Sequence, residues 1–351
     1  MRIELFPTEY VIYRAVVDGL ARSYKTWKAD AYALLSFVRF MDEHGFDWRH
    51  PIRAQFDDQL GHYRTYLEHK SLVRGYIAKL LNKICRFYEW AFHKGYIEQI
   101  PFTRIATPTR KRGFLAHLSH AKSSERPLVV PRVPSRRRYP RYYNRDEQEL
   151  IYNFLSARDR LIMEWALYTG AREFELCELQ IQQIPAQSEY RSKSVYQLKV
   201  VGKGGITTEL SVPTWLLDRT HQYIKFFARS GITREATARG VPKQTALFLG
   251  RWGRPIKPDS VYRAFRKALK AAKIKGRFHD LRHTYAISTL HKLMQLNRHR
   301  ETAGLNAILE LKYLLRHASL SSTQIYLEAR NYYLTEIYSD LFELPERFRN
   351  G

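Results

Sequence analysis

The stretch from Leu314 to Leu334, LLRHASLSSTQIYLEARNYYL, sets His317 nine residues ahead of Tyr326. Other groups that could act on a phosphate stand upstream. Arg172 lies in TGAREFEL, Lys203 at the tip of VGKGG, and His279 and Arg282 in HDLRH, where i,i+3 spacing puts them on one helix face. Two arginines, a lysine, two histidines and a tyrosine suit phosphodiester chemistry. Attack at phosphorus builds charge on two non-bridging oxygens, which planar guanidinium forks hold well. The nucleophile needs activation and the leaving alkoxide needs a proton. An attacking phenol becomes a phosphotyrosine ester and conserves the energy of the broken bond, so no metal or nucleotide cofactor is required. The sequence has no GxxxxGK(S/T) phosphate loop, which agrees with this. His279 and His283 are spaced i,i+4 and could be two metal ligands, but no HExxH glutamate lies between them. Arg282 would also set a cation beside the metal, so no metal and no cofactor is expected.

Charge bounds the partner. The 351 residues carry a formal +25, a surplus that repels itself in a compact state and calls for a polyanion. DNA or RNA fits first, since each neutralised phosphate releases counterions. The positive charge is spread along the whole chain rather than gathered on an amphipathic helix, which points away from a membrane surface. No apolar run is long enough to span a bilayer and the N-terminus does not resemble a signal peptide, so a cytoplasmic, nucleoid-associated protein is expected. Cys85 and Cys177 are too few for a disulfide framework or a structural zinc site and read as buried apolar residues.

The elements that must position the chemical groups are mostly helical. In the first hundred residues, Trp27, Ala31, Leu34, Val38 and Met41 form one apolar stripe, with a stop at Gly45. Val73, Ile77, Leu80, Ile84, Phe87 and Ala91 form another, with Ser71 as N-cap and a stop at Gly95. A shorter helix is expected over 57–70. Lys25, Lys28, Arg74, Lys79 and Lys83 on these helices are candidate phosphate contacts. From Phe102 to Arg145 the chain holds twelve Lys or Arg against one acid, with five prolines, and reads as a linker that supplies no core. Its Arg110, Lys111, Arg112, Arg136, Arg137 and Arg138 are candidate contacts along a DNA backbone. A second domain starts at the capping box Asn144 to Glu147. Within it, Val195 to Val201 and Ile206 to Val212 change to a two-residue period around GKGG, a hairpin. The predicted fold class is mostly α with a small antiparallel β-sheet.

Four of these pieces, in this order, resemble the tyrosine recombinase family of phage integrases and Xer-type enzymes. TGAREFEL resembles its first-arginine motif, VGKGGITTELSVP its lysine hairpin, HDLRHTYA its HxLRH box, and LLRHASLSSTQIYL its LGHxxxxxTxxxY segment. The resemblance implies a helical, SAM-like core DNA-binding domain over 1–101, a basic linker over 102–143, a tyrosine-recombinase catalytic domain over 144–326 and a tail over 327–351. The tail carries Tyr333, Ile337 and Leu341 at i,i+4,i+8 and is expected to pack on a neighbouring protomer.

The resemblance also implies roles. Tyr326 attacks the scissile phosphate to give a 3′-phosphotyrosyl link. Arg172 and Arg282 clamp the non-bridging oxygens, and Lys203 protonates the leaving 5′-oxygen. His279 acts as base or orients the phosphate, His317 donates to it, and Glu175 steadies Arg172. The implied partners are double-stranded DNA and a homotetramer in the synaptic complex, with room for an accessory directionality factor. The implied activity is DNA integration, excision or transposition. About twenty residues precede the first helix, too few for an arm-site-binding domain, which favours a simple recombinase or a transposon or genomic-island integrase.

Two departures stand out. Arg316 occupies the place of a usual glycine, which adds a charge near the DNA and changes the freedom of the turn. Thirty-five residues separate Arg282 from His317, longer than the usual form, with the extra length assigned to LNRHRETAGLN. A type IB topoisomerase and a catalytically silent DNA-binding protein are the alternative readings.

Overall fold

Aromatic residues at helical spacing build the first of two units. The computed structural model describes residues 5–17, 23–51, 59–107, 124–130, 139–202, 205–226, 228–297 and 303–337. It divides the chain into Met1–Arg137 and Arg138–Gly351.

In the first unit, α1 (Leu5–Ile12) runs into a π-helical turn at Tyr13–Val17 and is followed by α2 (Tyr24–Glu43), α3 (Gln59–His69) and α4 (Arg74–His93). Phe37, Phe40, Tyr63, Phe87 and Tyr88 are buried between them. Each such side chain contributes about 2–3 kcal/mol by leaving water. Leu34, Val38 and Met41 face this core as the spacing predicts, but Ala31 points outward and Ala33, Phe37 and Phe40 widen the stripe. Ser71 does not cap α4. Val73 is its N-cap residue, and Ser71 takes a φ of 55° just after α3, with its N–H bonded to the Glu68 carbonyl. A short polar side chain tolerates that left-handed turn, so the same residue type that marks a helix start here marks a helix end.

The linker expectation needs correction. Strands β1 (Arg104–Thr107) and β2 (Ser124–Pro127) form an antiparallel ribbon, with Arg104 opposite Pro127. Phe102, Val129 and Val130 are buried in the first core, while Tyr142 and Tyr143 are buried in the second unit. Isolated apolar residues in a basic stretch show no period, yet a ribbon needs only a few inward side chains to dock.

The second unit begins at α5 (Arg145–Asn153). Asn144 Oδ1 accepts from the Glu147 N–H at 2.9 Å and Glu147 accepts from the Asn144 N–H at 3.3 Å, the expected capping box. Then follow α6 (Ala157–Thr169), α7 (Glu173–Cys177) and α8 (Gln187–Tyr190). The hairpin is β3 (Val195–Val201) paired with β4 (Thr207–Pro213), with Val201 opposite Thr207. Helices α9 (Thr214–Phe226), α10 (Ala228–Ala238), α11 (Pro258–Ala271), α12 (His279–Leu296), α13 (Ala303–Leu314) and α14 (Ser321–Tyr332) complete it. Helix α12 is central, packing on α6, α13 and α14. The fold is thus mostly helical, with two small two-stranded sheets among the described residues. Residues 298–302 of the LNRHRETAGLN stretch lie outside the described residues.

Beyond α14, Tyr333 and Ile337 pack on their own unit. Tyr333 lies 5.7 Å from the Tyr142 ring, Tyr332 stacks on Tyr139 at 4.9 Å, and Ile337 joins the cluster around α12 and α13. The apolar spacing identified a buried face without saying whose surface covers it. Leu341 lies outside the described residues. Among the described residues no helix is long and apolar enough to cross a membrane.

Candidate active site

Helix α6 ends on Gly170, whose φ of 64° reverses the chain so that Arg172 can begin α7. Only glycine fits here. A Cβ on Gly170 would stand 2.4 Å from the Tyr285 ring and 3.3 Å from Leu315. Arg172 is the N-cap residue of α7, with extended φ and ψ of −81° and 151°. Three residues on, Glu175 reaches back. Its Oε2 accepts from the Arg172 N–H at 2.8 Å and its Oε1 from Arg172 Nη1 at 2.9 Å. One carboxylate therefore sets both the helix start and the guanidinium.

Arg282 is 2% exposed on α12. Its Nη1 donates to the Gly170 carbonyl and its Nη2 to the Leu315 carbonyl. It thereby joins α12 to the turn that carries Arg172 and to the end of α13. Burial, with Arg172 and Arg316 nearby, lowers its pKa to about 10, still fully charged near neutrality.

Helix α13 closes in a Schellman turn. The His317 N–H bonds the Lys312 carbonyl at 3.0 Å and the Arg316 N–H bonds Tyr313 at 2.9 Å. Arg316 occupies the left-handed position of that turn, with φ 54°. A non-glycine residue there costs about 1–3 kcal/mol. Arg316 turns inward. Its side chain is 7% exposed and its Nη2 donates to Glu175 Oε2 at 2.8 Å. Burial alone would raise the Glu175 pKa. Arg316, then Arg172, outweigh it and hold the carboxyl below its ordinary value.

Tyr326 on α14 is 3% exposed. Its hydroxyl lies 2.9 Å from His283 Nδ1, and its ring stacks on His317 at 6.2 Å with 17° between planes. His317 Nδ1 is 3.0 Å from Thr323 Oγ1, which leaves Nε2 for a ligand. His279 packs edge-on against His283 at 4.7 Å. Desolvation, then neighbouring cations, lowers the pKa of all three rings. The same desolvation with His279 and arginine charges brings His283 to about 3. For His317 the arginines bring it to about 4, while His279 also moves down. Burial raises the Tyr326 pKa even though Arg282 and Arg172 oppose it. The resting pair is a neutral phenol on a neutral imidazole.

Arg172, Glu175, Arg282, His317 and Tyr326 thus meet in one network, with His279 beside it. Lys203 lies outside the described residues, as do Arg110, Lys111, Arg112, Arg136, Arg137 and Arg138. The hairpin that carries Lys203 does approach the site, since a Cβ on Gly202 would stand 3.9 Å from Glu175 Oε1. In the first unit Lys25, Lys28, Arg74 and Lys79 are exposed. Lys83 forms an ion pair with Asp30 at 2.5 Å, so its charge is balanced within the fold. Two members of the site were missed in the sequence, His283 and Thr323. His283 was weighed only as a metal ligand. Its i,i+4 spacing from His279 on a face shared with Arg282 was the available signal.

This geometry has relatives. The tyrosine recombinase XerC of Natranaerobius thermophilus is 25% identical over 285 residues, covering 79% of this chain and 80% of its own. Tyrosine recombinase XerD of Lacticaseibacillus casei is 21% identical over 336 residues, covering 94% and 96%. Among solved structures, lambda integrase bound to DNA superposes with a TM-score of 0.58 at 15% identity, covering 94% of this chain and 97% of that one. The XerH recombinase in a post-cleavage complex with its difH substrate gives 0.52 at 16% identity, covering 90% and 80%. Those likenesses show the shared fold. The sequence model described as the phage integrase family matches residues 141–332, which hold every residue of the network above, and the chain belongs to that family.

Proposed function

We propose that the chain is a site-specific DNA recombinase that cleaves and rejoins strands through a 3′-phosphotyrosyl intermediate. The observation that carries this reading is the Tyr326 hydroxyl, buried and held by His283 beside a carboxylate-linked pair of guanidiniums. In the proposed step Tyr326 Oη forms a bond to phosphorus and the bond from phosphorus to the 5′-oxygen breaks. The phenol proton passes to His283, and Lys203 supplies the proton that makes the leaving group a 5′-hydroxyl. Arg172 and Arg282 hold the non-bridging oxygens, and His317, oriented by Thr323, donates from Nε2. His279 orients the phosphate.

The lowered histidine pKa values fit a substrate-gated base. Without DNA, burial first and then the neighbouring positive groups keep His283 a poor proton acceptor. An anionic phosphate among them offsets their field and raises its basicity, so the phenol is activated when the target strand is in place. Attack by the 5′-hydroxyl of a partner strand reverses the step and joins a new pair of strands. Exchange between two duplex sites then calls for four protomers, with Lys25, Lys28, Arg74 and Lys79 among the contacts to backbone phosphates.

The test is strand exchange between two duplexes carrying one recovered cleavage site. Joined products that need the same site on both duplexes support the proposal. Relaxation of supercoiled DNA with no site requirement and no joined product would support a topoisomerase instead.

A further inference from the structure

We propose that Arg316 is a third guanidinium ligand of the scissile phosphate, offering Nη1 to a non-bridging oxygen while Nη2 stays on Glu175. This rests on the recombinase reading above.

The first support is the place of the residue. Arg316 sits at the left-handed position of the turn after α13, where glycine is at ease and a long side chain is strained. Strain of this kind persists where the surroundings hold it, and it gathers at functional sites. The second support is the side chain itself. It is 7% exposed, and Nε and Nη1 are buried without a hydrogen-bond partner among the described residues. Buried charged donors left unpaired are costly, and an incoming acceptor would relieve that cost. The third support is the frame. Glu175 takes Arg316 Nη2 on Oε2 and Arg172 Nη1 on Oε1, both within 2.9 Å, so one carboxylate aligns two forks. Arg282 grips the carbonyl of Leu315, the residue before Arg316, and His317 is the residue after it.

Charge gives the arrangement a purpose. Among the described residues the network holds three guanidiniums, Arg172, Arg282 and Arg316, and one carboxylate, Glu175. With glycine at 316 one of those positive charges would be missing. A phosphodiester carries one negative charge, and the five-coordinate phosphorane reached after the phenol loses its proton carries two. The additional guanidinium therefore favours the transition state over the bound ground state.

The experiment compares single-turnover formation of the covalent adduct on nicked duplexes with either a phosphate or a neutral methylphosphonate at the scissile position. Arg316→Gly relieves the backbone but removes a partner of buried Glu175, so its melting temperature is measured first and rates are compared on folded protein. Arg316→Asn, also tolerant of a left-handed turn, repeats the measurement with a polar side chain in place. On phosphate the rate should fall on the order of 100-fold, the scale of losing one oxyanion donor. On methylphosphonate, where the oxygen charge is gone, the defect should nearly vanish. Arg316→Lys should fall between the two. If the wild type does not cleave the neutral substrate, Rp and Sp phosphorothioates replace it, and the variants should lose the sulfur effect of one isomer only. An unchanged rate, or an equal loss on both substrates, overturns the proposal. A wild type that forms no adduct on the phosphate duplex overturns the recombinase reading instead.

Discussion

The Tyr326 hydroxyl lies 2.9 Å from Nδ1 of His283, and no other hydrogen bond of that hydroxyl occurs among the described residues. The phenol therefore has a single anchor, supplied by α12. His283→Ala removes it without touching the guanidiniums. Adduct formation should slow by roughly 100-fold, the lower end of what a positioned base contributes. DNA affinity measured by gel shift should be unchanged. A cleavage rate equal to wild type would show that this contact does nothing for the nucleophile.

Gly170 joins two demands at one position, a φ of 64° and a ring edge 2.4 Å from where a Cβ would stand. Gly170→Ala must strain the turn or displace Tyr285, and it shifts the carbonyl that Arg282 holds. A loss of about 2–4 kcal/mol in unfolding free energy is expected from backbone strain and overpacking together. Denaturant titration measures it, and a variant as stable as wild type would contradict the close packing.

Acid should loosen the second unit at a pH set by its histidines. Burial and nearby cations depress His283 to about 3 and His317 to about 4, against 6.5 for an ordinary histidine. As pH falls through 6.5 the unfolded chain binds protons that the folded rings refuse. The stability they confer is complete above 6.5 and is lost as pH drops towards the folded values. The melting temperature should decline from pH 6.5 to 5, above the range in which carboxylates such as Glu175 titrate. His283→Gln should flatten that decline. Equal slopes in variant and wild type would sink the assignment.

Much of this site was legible because its motifs are local. The glycine stop ahead of Arg172, the shared face of His279 and Arg282 and the interval from His317 to Tyr326 are properties of single helices and turns. The hairpin period and the Asn144 capping box were legible for the same reason. What spacing could not show was contact between elements. The bond from His283 to Tyr326 joins α12 to α14, and Glu175 meets Arg316 across 141 positions of sequence. The burial of Arg316 could not be read from its residue type, which signals a surface, whereas here a left-handed backbone accompanies an inward side chain. Phe102, Val129 and Val130 were hidden in a basic stretch with no apolar period. Tyr333 and Ile337 were seen as a buried face, but covering that face is a matter of tertiary packing.

The most direct measurement asks whether Tyr326 becomes joined to DNA. Wild-type protein and Tyr326→Phe are incubated with nicked duplexes of randomised sequence, and covalent adducts are recovered under denaturing conditions. The joined peptide is identified by mass spectrometry and the DNA end by sequencing. A 3′-phosphate linked to Tyr326 in the wild type, with no adduct from Tyr326→Phe, is the predicted result. An adduct that survives Tyr326→Phe, or none from the wild type on any sequence, would contradict the account.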